Sequence, residues 1–322
     1  MTRLPKPYNG VDELVGRLES RGMLLDRASA RQWLGAVGYY RLSGYWYPYR
    51  EFVAGERADT FVAGTRFDEV VALYEFDRKL RTLLHDAIER IEIMLRTQLN
   101  EALGQFGPLA YLETQHFRQT FPHEAWVRTA QKRVDRSGRR NDAVQHHLRH
   151  YDGQLPIWVL SEVLDFGDVS RLYEGLQSSL QWGIAQHFGI NLDLTVLSKN
   201  QAAKARKIHP LVRWFEQLTI VRNTAAHHSR TWNGRFVPAG TASLATIPGL
   251  ETLPEGQSER LYGALCVLGK MLDAASPGTT WGCKVRGLLD VAFIGVTGRQ
   301  VAEMGFPSDW ARRGPWSAQG RT

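Results

Sequence analysis

The stretch TRFDEVVALYEFDRKLRTLLHDAIERIEIMLRTQLNEAL, residues 65–103, decides the fold class of this 322-residue chain. Its apolar residues recur at steps of three and four, which is typical of one face of a long amphipathic helix. Thr65 and Asp68 have the spacing of a capping box that would open this helix, and Gly104, Gly107 and Pro108 would end it. The apolar stripe consists of Val70, Leu73, Leu80, Leu84, Ala87, Ile91, Leu95 and Leu99.

Shorter helices are predicted on both sides of this long helix, and no stretch has a convincing strand pattern. Residues 53–64 look like a loop, 233–256 like a linker, and the tail beyond Asp309 looks loose. The sequence therefore predicts an all-α fold. The expected helices lie at about 11–21, 26–37, 121–150 with a break at 132–140, 156–164, 168–176, 178–188, after Pro210, 257–275 and 283–294.

Composition limits the classes of function. The chain has 40 Lys+Arg against 33 Asp+Glu, a net charge of +7, which fits a polyanionic partner without establishing one. Two cysteines, Cys266 and Cys283, are too few for a disulfide framework and lack zinc-site spacing, so a cytoplasmic protein is expected. No apolar run approaches the roughly 18 residues that cross a bilayer, and no signal peptide is visible, so we expect no membrane partner.

The segment VRNTAAHHSRTWN, residues 221–233, carries the chemistry, because it places one Arg, one Asn and two His within seven residues. RNA cleavage requires that the ribose 2′-hydroxyl lose a proton as it attacks phosphorus and that the leaving 5′-oxygen gain one. An imidazole can serve either proton step, and a guanidinium can stabilise the charge that builds on the phosphoryl oxygens. Because the substrate supplies its own nucleophile, we expect neither a metal nor another cofactor.

The spacing of these groups on one helix is only partly favourable. Asn223 and His227 are four residues apart and share a face, whereas Arg222 lies roughly 140° around the helix from His227. One helix therefore does not bring the Arg and the His together. A second copy of the site from a partner subunit, or a distorted helix end, would help, and the sequence leaves both alternatives open.

These residues resemble the motifs of a known superfamily. An Arg followed by Asn, with a His five residues after the Arg, is similar to the active-site motif of the HEPN superfamily of helical ribonucleases. RNTAAHHSRTWN at 222–233 resembles the signature of the Abi-like (abortive infection) proteins in that group. Four more blocks resemble this family in its order: GYYRLSGYWYPYR at 38–50, FDRKLRTLLHDAIERIEIMLRTQL at 76–99, LPIWVLSEVLDFGDVSRLY at 155–173 and MGFPSDW at 304–310.

The resemblance implies a fold, an activity and an assembly. The implied fold is a HEPN-like helical bundle, with N-terminal helices and the aromatic motif at 1–64, the core at 65–235, and a linker with a C-terminal helical section at 236–322. The implied activity is metal-independent RNA cleavage in defence against phage, by a homodimer that pairs two sites. Binding of a dedicated small RNA is a further implication.

The resemblance also implies roles for individual residues. Two positions depart from the family's pattern, namely Ala225, where Cys is expected, and Thr231, where Leu is common, but neither departure removes a reactive group. The implied site consists of Arg222 and His227 as the catalytic pair, Asn223 as a supporting polar residue and His228 as an alternative or auxiliary base.

Two basic stretches, 132–140 and 199–209, are expected to contact phosphates if the protein grips RNA. They are alternatively solvated faces with no ligand. The residues predicted to bind RNA are Lys132, Arg133, Arg139, Arg140, Lys204, Arg206, Lys207 and Arg230.

Three functions are consistent with these features. The leading hypothesis is an endoribonuclease of abortive infection. The alternative is a non-catalytic RNA-binding component of a defence ribonucleoprotein that holds a small structured RNA. The third is a protein-interaction scaffold without chemistry, against which the intact Arg222, Asn223 and His227 speak.

Other polar and aromatic residues allow two interpretations each. The aromatic residues of 38–50 could stack on bases or pack the N-terminal helices, and we favour packing. Glu89 and Glu92 could orient Arg222 or form ion pairs within the helix, as Glu92 could with Arg96, and we favour the latter.

Two further His-containing patterns receive little weight as sites. Arg78 and His85 lie two turns apart inside the long helix, and we interpret them as ordinary helix residues. His146 and His150 have the spacing of a metal-binding pair, but no Cys or carboxylate completes the site, so no metal ligand is predicted.

Overall fold

The computed structural model describes residues 7–138, 140–312 and 314–316. Helix dominates these residues, which confirms the all-α prediction. The helices are α1 (Val11–Ser20), α2 (Arg27–Val37), α3 (Tyr39–Trp46), α4 (Phe67–Gly104), α5 (His123–Ser137), α6 (Asp142–His150), α7 (Ile157–Val163), α8 (Phe166–Gly175), α9 (Ser178–His187), α10 (Lys199–Lys207), α11 (Leu211–Ala226), α12 (Leu261–Ala275) and α13 (Trp281–Ala292).

The long helix α4 is confirmed, but its start differs from the prediction. Every residue of the predicted apolar stripe is buried, because the 3.6-residue period keeps these side chains on one face. The helix begins at Phe67, two residues after Thr65, whose hydroxyl donates to the Val62 carbonyl oxygen at 2.7 Å. Asp68 pairs with Arg66 at 2.9 Å. The predicted capping box between Thr65 and Asp68 is therefore wrong as the start of the helix.

The prediction that no strand forms, and that 53–64 is a loop, is also wrong. Strands β1 (Arg50–Val53) and β2 (Glu56–Phe61) form an antiparallel hairpin, in which Val53 pairs with Glu56. Ala54 and Gly55 both have positive φ, as a two-residue hairpin turn requires. Phe52 and Val53 are both exposed, so the strand has no apolar-in, polar-out alternation that the sequence could reveal.

The segment predicted as a linker, 233–256, packs into the protein instead. Six of its apolar side chains are buried. Strand β3 (Ala239–Gly240), within the segment, pairs with β4 (Gln257–Ser258), just after it, in a second small hairpin. The Gln217 side-chain amide on α11 donates to the carbonyl oxygens of Val237, at 2.7 Å, and Ser258, at 2.8 Å. The buried apolar residues of the segment are Phe236, Ala239, Leu244, Ile247, Leu250 and Leu253.

Two other predictions of local structure need correction. Asp165, rather than Asp168, caps α8, and the carboxylate of Asp168 accepts from the Asp165 backbone N–H at 3.0 Å in a reciprocal capping box. Within the described part of the tail beyond Asp309, Trp310 and Trp316 are buried and their ring centroids lie 6.2 Å apart. Aromatic burial therefore orders a segment that its polar composition made look loose.

The chain groups into two compact units, and the predicted division at residues 64 and 235 stays a prediction. The first unit comprises Met1–Leu80 and Gly287–Val301. Within it, the Tyr45 hydroxyl donates to buried Asp77 at 2.7 Å. Tyr45, Trp46 and Tyr49 are buried, so these aromatic residues of 38–50 pack in the protein as we favoured.

The second unit comprises Arg81–Arg286 and Ala302–Thr322, and it contains the Arg222–His228 segment. Helix α8 packs on α11, where the Tyr173 and Phe215 rings meet edge to face with centroids 5.2 Å apart. Helix α12 is buried along almost its whole length, from Leu261 to Leu272. In the described ranges, no helix is long and apolar enough to cross a membrane.

Candidate active site

Helix α11 positions the Arg222–His228 segment by burying its opposite face. Trp214, Phe215, Leu218 and Val221 are fully buried, and this packing sets the rotation of the helix. Arg222 is consequently half-buried and Asn223 is exposed. The Arg222 guanidinium donates to Asn223 Oδ1 at 3.2 Å, so the two polar residues of the motif contact each other.

The two histidines form the C-terminal end of α11. His227 is the C-cap residue, and its backbone N–H donates to the Asn223 carbonyl oxygen at 3.0 Å. The backbone N–H groups of His228 and Ser229 donate to the carbonyl oxygens of Ala225 and Thr224, both at 3.0 Å. This pattern is a Schellman motif, with His228 in the left-handed conformation at φ 54° that glycine usually provides. Both imidazoles are exposed.

Arg222 lines a cavity of about 530 Å³ that the helices α4, α7 and α11 share. In the described residues, Arg222 forms no ion pair, although the carboxylates of Glu89, Glu92 and Glu162 line the same cavity. A guanidinium in this setting can bind an anion such as a phosphate with two hydrogen bonds. The other lining residues are His85, Ile88, Glu89, Glu92, Ile93, Arg96, Thr97 and Glu162.

Of the two interpretations of Glu89 and Glu92, the ion pair within the helix is confirmed for Glu92, and orientation of Arg222 by either residue stays a prediction. Glu92 forms an ion pair with Arg96 one turn along α4, as favoured from the sequence. Both Glu89 and Glu92 nevertheless line the cavity with Arg222. Arg96 also donates to the Leu164 carbonyl oxygen at 2.8 Å, so this ion pair ties α4 to the end of α7.

His85 is a site residue that the sequence-based interpretation missed. The sequence predicts Arg78 and His85 to be ordinary helix residues, and Arg78 does pair with Glu75 at 2.8 Å. His85, however, is half-buried and lines the Arg222 cavity. His227, by contrast, is not among the residues that line it. Nothing in the local sequence around His85 signals this, because the contact depends on how α4 packs beside α11.

The two positions that depart from the family's pattern are core positions. Ala225 and Thr231 are both buried. Their side chains therefore affect packing beneath the motif and do not add or remove a reactive group at the surface.

The residues predicted to bind RNA are spread over several surfaces. Lys132, Arg140 and Arg206 are exposed. Arg133 forms ion pairs with Asp165, at 2.9 Å, and Asp168, at 2.7 Å. These contacts raise the pKa of the Arg133 guanidinium, and the largest cause is its hydrogen bond to Asp168. Arg230 is half-buried and interacts with other residues. Arg139 lies outside the described residues.

Lys204 and Lys207 line a second cavity, of about 720 Å³, between α10 and α11. Arg118 and Arg213 add positive charge to its lining, and Glu174 and Glu216 add negative charge. Neither lysine lines the Arg222 cavity. These cations therefore form a surface that is separate from the candidate active site.

The histidines of α6 make contacts among themselves. The His146 and His150 rings lie 4.8 Å apart, and His147 stacks on Tyr151 at 4.9 Å. No group of three or more His, Cys, Asp or Glu side chains that could hold a metal ion occurs in residues 7–138, 140–312 and 314–316.

The fold and site define a class of protein: an all-α chain whose central helix ends in an Arg-Asn…His-His segment beside a polar cavity. A comparison with protein families matches the model of the family described as Abi-like protein over residues 32–233. The match includes α4, α7 and the whole Arg222–His228 segment, and it covers more than half of the chain. The chain therefore belongs to the Abi-like protein family, which suggests a role in abortive-infection defence. Comparisons with curated proteins and with solved structures give no match.

Proposed function

We propose that this protein is an endoribonuclease of abortive-infection defence, of the HEPN type. A single observation carries the proposal. Arg222, which forms no ion pair in the described residues, presents its guanidinium to a cavity that Glu89, Glu92 and Glu162 also line, and exposed imidazoles lie at the end of the same helix. RNA cleavage by the substrate's own 2′-hydroxyl needs these two kinds of group.

The proposed reaction has one nucleophile and one leaving group, both in the RNA. An imidazole takes the proton of the 2′-hydroxyl as its oxygen attacks the adjacent phosphorus. The bond from phosphorus to the 5′-oxygen breaks, and that oxygen receives a proton from a second acid. Arg222 donates hydrogen bonds to the phosphoryl oxygens, on which negative charge increases. The products are a 2′,3′-cyclic phosphate and a free 5′-hydroxyl.

The position of His227 supports a composite site in a homodimer. It lies roughly 140° around α11 from Arg222. Its exposed ring would complete the Arg222 cavity of a second copy more readily than that of its own chain. His85, which lines the cavity within one chain, would then be the second imidazole available for proton transfer.

The alternative function is RNA binding without cleavage, in a ribonucleoprotein of the same defence. The lysines of the second cavity favour it, because Lys204 and Lys207 lie apart from the Arg222 cavity and would contact phosphates without contributing to chemistry. Such binding would weaken as salt rises.

The first experiment compares RNA cleavage by the wild type, Arg222→Ala and His227→Ala in EDTA. We expect Arg222→Ala to lose roughly 10²- to 10³-fold in rate, because one charge-stabilising donor is removed. His227→Ala should lose roughly 10²- to 10⁴-fold, the usual contribution of a general acid or base. Arg171→Ala and His187→Ala, which remove an exposed Arg and an exposed His on other helices, should cleave like the wild type.

Mixing the two inactive variants tests the composite site. In a mixed dimer, Arg222 of the His227→Ala chain would meet His227 of the Arg222→Ala chain, so part of the activity should return. Failure of the mixture to cleave would rule out a site shared between two chains. Loss of activity in His85→Ala but not in His227→Ala would show that His85 transfers the proton instead of His227. Equal cleavage by wild type, Arg222→Ala and His227→Ala would contradict the proposed site, and tight RNA binding without product would favour the ribonucleoprotein.

A further inference from the structure

One tryptophan of this protein differs from the rest in its exposure. Seven of the ten tryptophans are buried and Trp33 and Trp182 are half-buried, because a large aromatic ring is normally used for packing. Trp158, in the first turn of α7, leaves 49% of its surface exposed. An exposed indole offers a flat face on which another ring can stack.

Trp158 forms one wall of a groove against the end of α4. The groove has a volume of about 500 Å³, and its other lining residues are Thr97, Asn100, Glu101, Gly104 and Gln105. A Cβ atom added at Gly104 would lie 3.8 Å from the indole ring, so the ring rests directly over this glycine. The contact fixes one edge of the indole against α4 while the rest stays accessible.

This Trp158 groove adjoins the Arg222 cavity. Thr97 lines both. Glu162, one turn after Trp158 on α7, lines the Arg222 cavity, so α4 and α7 form the walls of both. Glu92 lines the Arg222 cavity and Asn100 lines the Trp158 groove. The axial distance between them along α4 is about 12 Å, roughly the length of three or four stacked bases.

The polar groups of the Trp158 groove suit a neutral ring better than a phosphate. Glu101 is the charged residue in its lining, and a carboxylate repels an anion. Asn100 Oδ1 has no hydrogen-bond partner in the described part of the chain. That oxygen is buried, so a base in the groove would meet the Trp158 ring and the other lining residues rather than Asn100 Oδ1.

We propose that the Trp158 groove is a nucleobase subsite for the RNA strand whose phosphate Arg222 binds. In this arrangement one base stacks on the indole, while the sugar–phosphate backbone leads along α4 to the Arg222 guanidinium. Aromatic stacking beside a cationic site is the usual way in which proteins hold single-stranded nucleic acid. The inference rests on the proposed RNA substrate, but not on cleavage of that substrate.

Binding of single-stranded oligoadenylate tests the subsite. The His227→Ala background keeps the RNA intact, and Trp158→Ala, Trp158→Phe and Tyr8→Ala are added to it. Tyr8→Ala is the matched control, since it removes an exposed aromatic ring that does not line the groove. Trp158→Ala should weaken binding about 5-fold to about 150-fold, the effect of losing one stacked base. Trp158→Phe, which keeps an aromatic face, should retain most of the affinity, and Tyr8→Ala all of it.

Fluorescence gives a readout that does not depend on cleavage. Iodide should quench the exposed Trp158 selectively, so the wild type should be quenched more than Trp158→Phe. Oligoadenylate should protect that quenchable fraction in the wild type and have no effect on quenching in Trp158→Phe.

Two results would overturn the base subsite. One is oligoadenylate affinity that Trp158→Ala leaves unchanged. The other is conversion of a dimer to a monomer by Trp158→Ala in sedimentation velocity, which would make the groove an interface with a second copy. Failure of the nuclease proposal would give a result distinct from failure of the base subsite, because Arg222→Ala and His227→Ala would then cleave like the wild type. In that case the fluorescence measurement would still decide whether a base stacks on Trp158.

Discussion

His228 occupies a backbone conformation that most side chains avoid. Its φ of 54° lies in the left-handed region, where a Cβ atom crowds the following carbonyl oxygen. The Schellman hydrogen bonds of His228 and Ser229 hold it there. A strained residue at a position where glycine would be more stable is typical of a functional site.

His228→Gly should therefore stabilise the protein, by up to about 1 kcal/mol, because glycine adopts positive φ without the Cβ clash. The matched change His227→Gly should destabilise it by roughly 0.5–1 kcal/mol, since His227 has an ordinary φ of −83° and glycine only adds freedom to the unfolded chain. Urea unfolding of both variants gives the two free energies. The same sign for both would contradict a strained backbone at His228.

Helix α12 shows at the scale of an element how a glycine permits close packing. A Cβ atom added at Gly263 would lie 2.0 Å from Ser258 Oγ, 2.8 Å from Ser258 Cβ and 3.2 Å from the Trp214 ring. The helix therefore approaches β4 and α11 more closely than any larger residue would allow. Since α11 carries Arg222, this contact also helps to fix the position of the helix that forms the candidate active site.

Gly263→Ala should lower the free energy of unfolding by roughly 1–3 kcal/mol, the usual effect of overpacking. Gly183→Ala is the matched control, because Gly183 lies in the interior of α9 with no atom within 4 Å of an added Cβ. That variant should be more stable by up to about 1 kcal/mol, since alanine favours helix. Thermal or urea unfolding measures both changes, and a Gly263→Ala protein as stable as the wild type would mean that α12 does not pack this closely.

At the scale of the whole molecule, one buried histidine links folding to pH. His209 is fully buried, and its Nδ1 accepts a hydrogen bond from the Leu211 backbone N–H at 3.1 Å. Burial lowers the pKa of this imidazole to about 4 from its usual value of 6.5. Between these two values the unfolded chain binds a proton and the folded protein does not. The contribution to stability is therefore present above about pH 6.5 and is lost as the pH falls towards 4.

Lowering the pH from about 7 to about 5 should cost on the order of 2 kcal/mol of stability through His209 alone. The comparison is with His209→Asn, whose side-chain oxygen can replace Nδ1 as the acceptor but does not titrate. Urea unfolding of both proteins at the two pH values isolates His209, because the other histidines contribute equally to both. Parallel pH dependences of wild type and variant would show that the His209 imidazole is not buried in the neutral form.

Periodic local patterns account for what could be predicted of the fold. The stripe of α4 repeats over many turns, so its burial follows from helix geometry whatever packs against it. The β1–β2 hairpin was missed because both Phe52 and Val53 are exposed, which leaves no two-residue alternation to detect. The glycines and prolines of the 233–256 segment are typical of a linker, although side chains between them, such as Leu244 and Leu250, are buried.

By itself the sequence determined that this protein is helical, that α4 is its longest helix, and that Arg222, Asn223, His227 and His228 form one compact segment. These features depend on residues close together in the chain. Only the tertiary structure decided that Arg222 opens into a cavity with His85 and Glu162, and that Trp158 is exposed beside that cavity. The physical reason is that the faces of separate helices meet according to how their side chains pack, and no local spacing encodes that choice.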